Sequence, residues 1–274
     1  MRLSNKIALV TGGAGGLGSA ICKRLASEGA TVVVNDFCDE SRINAVVEEI
    51  LKNGGKAVAK RASVADSEQV KQMFSEVKAE FGGLHVLFNN AAITPEKPDD
   101  EARRAKHYTY ISTPVPRQSL EFTSRMTDAD WFRFWDVNVH GVFFCTREAL
   151  NIMESQREGR IINIASVAGF CPISSHSPHY SATKGAVIAF TKSVAAEVAG
   201  SNVFVNAMAP GGILTPAFSR YMEQAGEEGR SRLAQMIPLG RLGTPEEYAE
   251  TALHLAETKY LIGQIISPNG GVAI

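Results

Sequence analysis

Six apolar, β-branched runs set the character of this chain: KIALVT at 6–11, TVVVN at 31–35, KAVAK at 56–60, HVLFN at 85–89, RIINIA at 160–165 and NVFVNAMA at 202–209. A shorter run, QIIS at 264–267, closes the series. Helical stretches of roughly ten residues or more separate them, long enough for the crossovers that parallel strands require. The runs are continuous rather than alternating, so both faces of each strand must be covered. This predicts an α/β fold, a doubly wound parallel sheet with helices on both sides. Helix starts are marked by Thr127 with Asp130 three residues on, and by Thr244 followed by Pro245 and Glu247, the pattern of a capping box.

With 274 residues, 45% of them apolar, the chain can bury a large core. No internal repeat, low-complexity tract or linker divides it, so residues 1–274 read as a single domain. The net charge of −1 with mixed signs excludes the basic stripe that a nucleic acid backbone requires. No apolar run reaches the roughly 18–20 residues needed to cross a bilayer, and MRLSNKIALVTGG lacks the apolar block of a signal peptide. The expectation is a soluble cytoplasmic protein without membrane partners. Cys22, Cys38, Cys145 and Cys171 have no metal-ligand spacing, so no metal is expected and they read as small hydrophobes.

One interval departs from the rhythm. Residues 94–126 are rich in charge and proline, without a clear period, and such long excursions in compact domains are more often functional than passive. This one follows a strand and so emerges at the carboxyl edge of the sheet, where open α/β folds bind ligands. It is expected to shape a substrate mouth; the competing reading is a surface excursion or subunit contact.

The first strand runs into TGGAGGLGSAICKRLA, whose glycines permit a sharp turn, amide groups aimed at a pyrophosphate and close helix packing. Two templates fit: Gly13, Gly15 and Gly18 as G-x-G-x-x-G, or Gly12, Gly16 and Gly18 as T-G-x-x-x-G-x-G. The next strand ends in Asp36, eighteen residues beyond Gly18. A carboxylate there accepts hydrogen bonds from ribose hydroxyls and repels a 2′-phosphate, which argues for NAD over NADP.

Tyr180 and Lys184, in HYSATKGAV, are four residues apart and share one face of a helix. A nearby ammonium favours the ionised phenol, whose ordinary pKa is about 10, and suits it to general acid–base work near neutrality.

Taken in order, TGGAGGLG, NNAA at 89–92, Asn138 in NVHG, Ser166 in INIASVAG, YSATK at 180–184 and PGGILT at 210–215 resemble the successive signatures of the short-chain dehydrogenase/reductase family. RLGTPEEYAE and LIGQIISPNGG resemble that family's last helix and strand. The resemblance implies a Rossmann-type fold with a seven-stranded parallel sheet, a homotetramer, and a small-molecule alcohol or ketone as substrate. Tyr180 would exchange a proton with the substrate oxygen, Ser166 would hold that oxygen, Lys184 would hold the nicotinamide ribose, and Asn138 would anchor a water chain. The dinucleotide would lie against Gly12, Gly15, Gly16, Leu17, Gly18, Asp36, Ser63, Val64, Asn90, Tyr180, Lys184, Pro210, Gly211, Ile213 and Thr215.

The chain also departs from the family pattern. Ala92 stands where a glycine is usual, Ser63 stands in place of an aspartate that accepts from the adenine, and the fourteen-residue step from Ser166 to Tyr180 implies a slightly longer loop. Phe170, Phe218, Tyr221 and Met222 suggest an apolar pocket closed by residues 216–236. Cys171, His176 and His179 lie close to Tyr180 in sequence, with His179 read as an ordinary loop histidine. Arg103, Arg104, Lys106 and Arg117 leave a phosphopantetheine or coenzyme A carrier open. The favoured expectation is an NAD-dependent oxidoreductase acting on a secondary alcohol or ketone; the alternatives are a 3-oxoacyl thioester reductase and a cofactor-binding regulator without turnover.

Overall fold

The computed structural model describes residues 1–95, 97–114, 116, 118–215, 218–219, 223 and 226–274. Seven strands are present: β1 (Ile7–Thr11), β2 (Thr31–Asp36), β3 (Lys56–Arg61), β4 (Val86–Asn89), β5 (Gly159–Ile164), β6 (Val203–Met208) and β7 (Ile265–Ile266). They form one sheet in the order β3-β2-β1-β4-β5-β6-β7, with every pairing parallel. The order reverses beside β1, so a crevice opens at the carboxyl ends of β1 and β4, the position where such sheets take ligands.

Helices cover both faces: α1 (Gly16–Ser27), α2 (Glu40–Lys52), α3 (Ser67–Phe81), α4 (Pro98–Ser112), α5 (Asp128–Trp135), α6 (Gly141–Gln156), α7 (Pro178–Val198), α8 (Gly226–Gln235) and α9 (Pro245–Glu257). The two-residue period of a strand sends Ala8 and Val10 into one layer and Leu9 into the other. Ala8, Val10, Val32 and Val34 pack with Ile21, Leu25, Ile43 and Leu253 of α1, α2 and α9. Leu9, Val33, Leu87 and Ile161 pack with Phe74, Cys145, Ala149 and Val198 of α3, α6 and α7. Each fully buried aliphatic side chain contributes about 1.5–3 kcal/mol, so this double covering is the main source of stability.

The predicted caps form. Thr127 accepts from the amide of Asp130 at 3.1 Å, while Thr244 and Glu247 exchange bonds at 2.9 and 3.3 Å. The edge strand β3 carries Lys56, Lys60 and Arg61, charges that discourage further strand pairing.

The structure corrects the reading of the insertion as aperiodic. It contains α4, fifteen residues long, with Asp100, Glu101 and the adjacent Asp99 in the first turn, where acidic groups suit the helix dipole. Among its described side chains, Asp100, Arg104 and His107 are the buried ones, so the stripe they form is polar and no hydrophobic period betrays the helix.

Asn138 lies on a π-helical turn, Asp136–His140, between α5 and α6. Such single turns are rare and recur at functional sites.

Candidate active site

The glycine turn after β1 is dictated by close approach. Gly12 has φ +64°, and a Cβ there would stand 2.9 Å from Ala91 Cα; a Cβ on Gly18 would stand 2.1 Å from the Gly12 carbonyl oxygen. Asn90 locks the turn, its Nδ2 donating to the carbonyls of Thr11 at 2.9 Å and Gly12 at 3.1 Å. Thr11 Oγ1 accepts from the amides of Asn90 and Ala91, both at 3.0 Å. Gly15 stands at the N-cap of α1 with no side-chain hydrogen bond to the helix end, which leaves amides facing outward.

Those amides face a cavity of about 760 Å³ lined by Gly12, Gly15, Gly16, Leu17, Gly18, Asp36, Ser63, Val64 and Asn90 at one end. Ala92, Ser166, Tyr180, Lys184, Pro210, Gly211, Ile213 and Thr215 line the rest. A bare-glycine cradle, outward amides and a cavity of this volume lined from Asp36 to Thr215 fit a dinucleotide. Asp36 is held by three amides: Oδ2 accepts from Ala14 at 3.2 Å, and Oδ1 from Phe37 at 2.8 Å and Cys38 at 3.1 Å. Arg42, from α2, lines the same end, a residue the sequence reading did not single out. The Ser63 amide is occupied by Gln69 Oε1 at 2.9 Å.

Ser166 follows β5 in extended backbone, and its Oγ accepts from the Ala168 amide at 3.2 Å. Tyr180 and Lys184 lie on the first turns of α7. Lys184 is 3% exposed, donates from Nζ to the Ile164 carbonyl at 2.8 Å, and lies 5.7 Å from the centre of the Tyr180 ring. Burial pushes its ammonium down to about 8.

Asn138 is fully buried with its amide committed: Oδ1 accepts from Ile93 N at 2.7 Å, and Nδ2 donates to Ile93 O at 3.0 Å and Thr183 Oγ1 at 3.2 Å. Thr183 in turn donates to the Tyr180 carbonyl at 2.8 Å. Asn138 thus braces the turn of α7 that carries Tyr180. Thr183 was missed in the sequence, although it sits inside YSATK.

A smaller cavity of about 370 Å³ opens beside the first. Thr94, Ser166, Tyr180, Gly211, Ile213 and Thr215 line both, so the two meet at Ser166 and Tyr180. Apolar lining comes from Ile173, Phe218, Met236, Ile237 and Leu242. The expectation for Phe170 is corrected: it is 52% exposed and outside the lining of either cavity. Tyr221, Met222 and Arg117 lie outside the described residues.

His176 lines the smaller cavity, its Nδ1 3.4 Å from Nδ1 of His107 on α4. Burial, reinforced by Arg104, His107, Arg103 and His179, holds its pKa down to about 3. His179 is no loop histidine. It is fully buried at the start of α7, its ring 3.9 Å from that of Phe134, and lines neither cavity.

A glycine-cradled dinucleotide groove that meets a tyrosine–lysine pair defines an oxidoreductase class. The short chain dehydrogenase family profile matches residues 6–226. The 3-oxoacyl-(acyl-carrier-protein) reductase FabG of Thermotoga maritima is 38% identical, with 100% of both chains covered. The corresponding reductase of Synechocystis is also 38% identical, covering 99% of this chain and 98% of the relative. Among solved structures, a short-chain dehydrogenase/reductase from Serratia marcescens superposes with TM-score 0.83 at 30% identity over 100% of both chains. Levodione reductase superposes with TM-score 0.84 at 28% identity over 98% of each. The chain belongs to the short-chain dehydrogenase/reductase family. It is an oxidoreductase, and the family works with a nicotinamide dinucleotide.

Proposed function

We propose that this protein interconverts a secondary alcohol and a ketone, with Tyr180 as proton donor or acceptor. The observation that carries the reading is the junction of the two cavities at Ser166 and Tyr180, where a carbonyl oxygen can meet both hydroxyls. A nicotinamide held in the groove would give the hydride to the ketone, or take it from the alcohol. Ser166 holds the substrate oxygen within reach of Tyr180, a contribution of position. The buried Lys184 charge favours the phenolate as the proton leaves. Gly12, Gly18 and the α1 amides hold the pyrophosphate, and Ile213 and Thr215 flank the nicotinamide end.

We infer a preference for NAD, supported by the Asp36 carboxylate at the ribose end, which would face a 2′-phosphate at the cost of like-charge repulsion. Arg42 on the same wall is the feature that opposes it. Comparing kcat/KM with NADH and NADPH tests the preference.

The names of the relatives favour a second reading of the substrate, a 3-oxoacyl thioester on a carrier. Its β-ketone undergoes the same reaction, so the two readings differ in what lies beyond the carbonyl. Exposed Phe132 and Phe143 on α5 and α6 support self-association, in keeping with a homotetramer. Among the described residues, no helix is long and apolar enough to cross a membrane. A panel of ketones, with and without thioester groups, followed by NADH absorbance tests the reaction. NADH binding without turnover of any ketone would point to a regulator instead.

A further inference from the structure

The smaller cavity holds an uncharged polar group that the reaction itself does not use. His176, 4% exposed, lines the cavity, and its Nδ1 lies 3.4 Å from Nδ1 of His107 on α4. The two imidazole centroids are 5.5 Å apart, and Tyr108 meets the His176 ring edge-on at 5.8 Å. The ring is thus held in place through Nδ1 and its neighbours, and Nε2 is the polar atom it offers to the cavity.

Burial pushes the pKa of both histidines down, so both rings are neutral at neutral pH. Two neutral rings in Nδ1 contact share one Nδ1 proton. His176 Nε2 is then a donor when His107 supplies that proton and an acceptor when His176 supplies it. A hydroxyl answers either state, because it both donates and accepts. A ketone or ether oxygen answers only the first, and a hydrocarbon answers neither.

The rest of the wall suits the same ligand. Ser174 adds a hydroxyl from the loop that carries His176, and Glu101 adds a carboxylate from α4. Arg104, whose Nη2 donates to the Pro95 carbonyl at 2.5 Å, offsets the Glu101 charge, so the wall is polar without a net charge. Ile173, Met236, Ile237 and Leu242 give a carbon skeleton apolar surface to lie against.

We propose that the substrate is a hydroxyketone, or the corresponding diol, and that His176 Nε2 hydrogen-bonds the hydroxyl beyond the reacting carbon. This rests on the alcohol–ketone reading of the site and names its substrate class. A hydrocarbon chain in the same place strips water from the imidazole and returns no hydrogen bond, which is the costly outcome for a buried polar atom. The cavity of about 370 Å³ is of a size for a compact ketone of this kind.

The test uses two pairs of ketones in which a hydroxyl replaces a methyl group: 4-hydroxybutan-2-one with pentan-2-one, and 1-hydroxybutan-2-one with pentan-3-one. In the wild-type enzyme kcat/KM should favour the hydroxyketone in at least one pair. His176→Phe should lower that ratio about 3- to 10-fold, the scale of one neutral hydrogen bond. His176→Asn, which keeps a polar atom toward His107 and removes the one at Nε2, should do the same, and His176→Gln, which restores an amide near Nε2, should recover part of the loss. NADH fluorescence on binding reports that the variants are folded. A wild-type preference for the methyl compound in both pairs, or a ratio unchanged in a folded His176→Phe or His176→Asn, overturns the proposal. Should no ketone turn over in the wild type, the alcohol–ketone reading fails separately. His176 is then judged by titrating the same pairs into the enzyme–NADH complex: a preference for the hydroxyketone that falls in His176→Asn sustains the hydroxyl site, and a preference that survives the substitution, or is absent from the wild type, ends it.

Discussion

Lys184 Nζ is tied to the carbonyl of Ile164 at 2.8 Å while standing 5.7 Å from the Tyr180 ring centre. One turn of α7 places the two side chains on a common face, and the end of β5 supplies the oxygen that fixes the ammonium between sheet and phenol. The cation acts on the tyrosine from over its ring.

Removing the phenolic hydroxyl while keeping the ring separates chemistry from binding. Tyr180→Phe is expected to lower kcat by about 10²- to 10⁴-fold, the usual reach of a positioned acid or base. NADH affinity, read by fluorescence, should change little. Turnover close to that of the wild type would remove Tyr180 from the mechanism.

Lys184 also makes a signed prediction about stability. Its folded pKa of about 8 lies below the unfolded value of about 10.4. Between these values the unfolded chain holds a proton that the folded chain has released, so stability rises with pH across that window. Relative to Lys184→Met, the wild-type apoprotein should gain up to about 3 kcal/mol from pH 8 to pH 10 in urea unfolding. Parallel curves for the two proteins would show that Lys184 is not titrating there.

His176 works in the opposite part of the scale. Held down to about 3 by burial and by Arg104, His107, Arg103 and His179, it stays neutral in the fold while an unfolded histidine protonates near pH 6.5. Stability from this group is full above about 6.5 and is lost as pH falls toward 3. His107, also pushed down by burial, adds to the effect. Between pH 6.5 and 5 the thermal midpoint of the wild type should drop more than that of His176→Gln, and equal drops would count against the buried pair.

A methyl group at Gly18 has nowhere to go, since it would lie 2.1 Å from the Gly12 carbonyl oxygen. Gly18→Ala should destabilise the protein by about 1–3 kcal/mol, the common cost of overpacking, and weaken NADH binding. Gly15→Ala is the control, because its Cβ would meet only the Gly12 oxygen at an ordinary 3.5 Å. Similar losses in both variants would contradict the assigned cradle.

At the other end of the groove, Asp36 and Arg42 line the same cavity, and the proposed NAD preference makes them opposing influences on cofactor choice. Asp36→Ala should raise the NADPH-to-NADH ratio of kcat/KM by about tenfold or more, the scale of one removed charge–charge clash. Arg42→Ala should lower that ratio. A fall in the ratio for Asp36→Ala would reverse the reading of the carboxylate.

Much of this architecture is legible in the chain because the signals are local or periodic. Unbroken apolar runs such as VVV at 32–34 need cover on both faces whatever surrounds them, and the caps at Thr127 and Thr244 are satisfied within one helical turn. Gly12 and Gly18 are likewise set by the turn they occupy, and Tyr180 and Lys184 by helical spacing. The family resemblance adds NNAA at 89–92, Asn138, Ser166 and PGGILT at 210–215 to TGGAGGLG and YSATK, each in its place along the chain.

Other features depend on partners distant in sequence. The helix α4 buries Asp100, Arg104 and His107, polar groups whose burial is tolerated only because partners such as Arg103, Pro95 and His176 meet them. A hydrophobic period cannot reveal such a helix. Asn138 reaches Thr183 across 45 positions, and Arg42 joins Asp36 only when α2 folds beside the glycine turn. Sequence alone determined the parallel sheet, the cradle and the tyrosine–lysine pair, since each follows from short-range geometry and the burial of apolar surface. Tertiary structure alone decided which polar side chains share a cavity with them, because compensation of buried charge depends on groups that only the folded chain brings together.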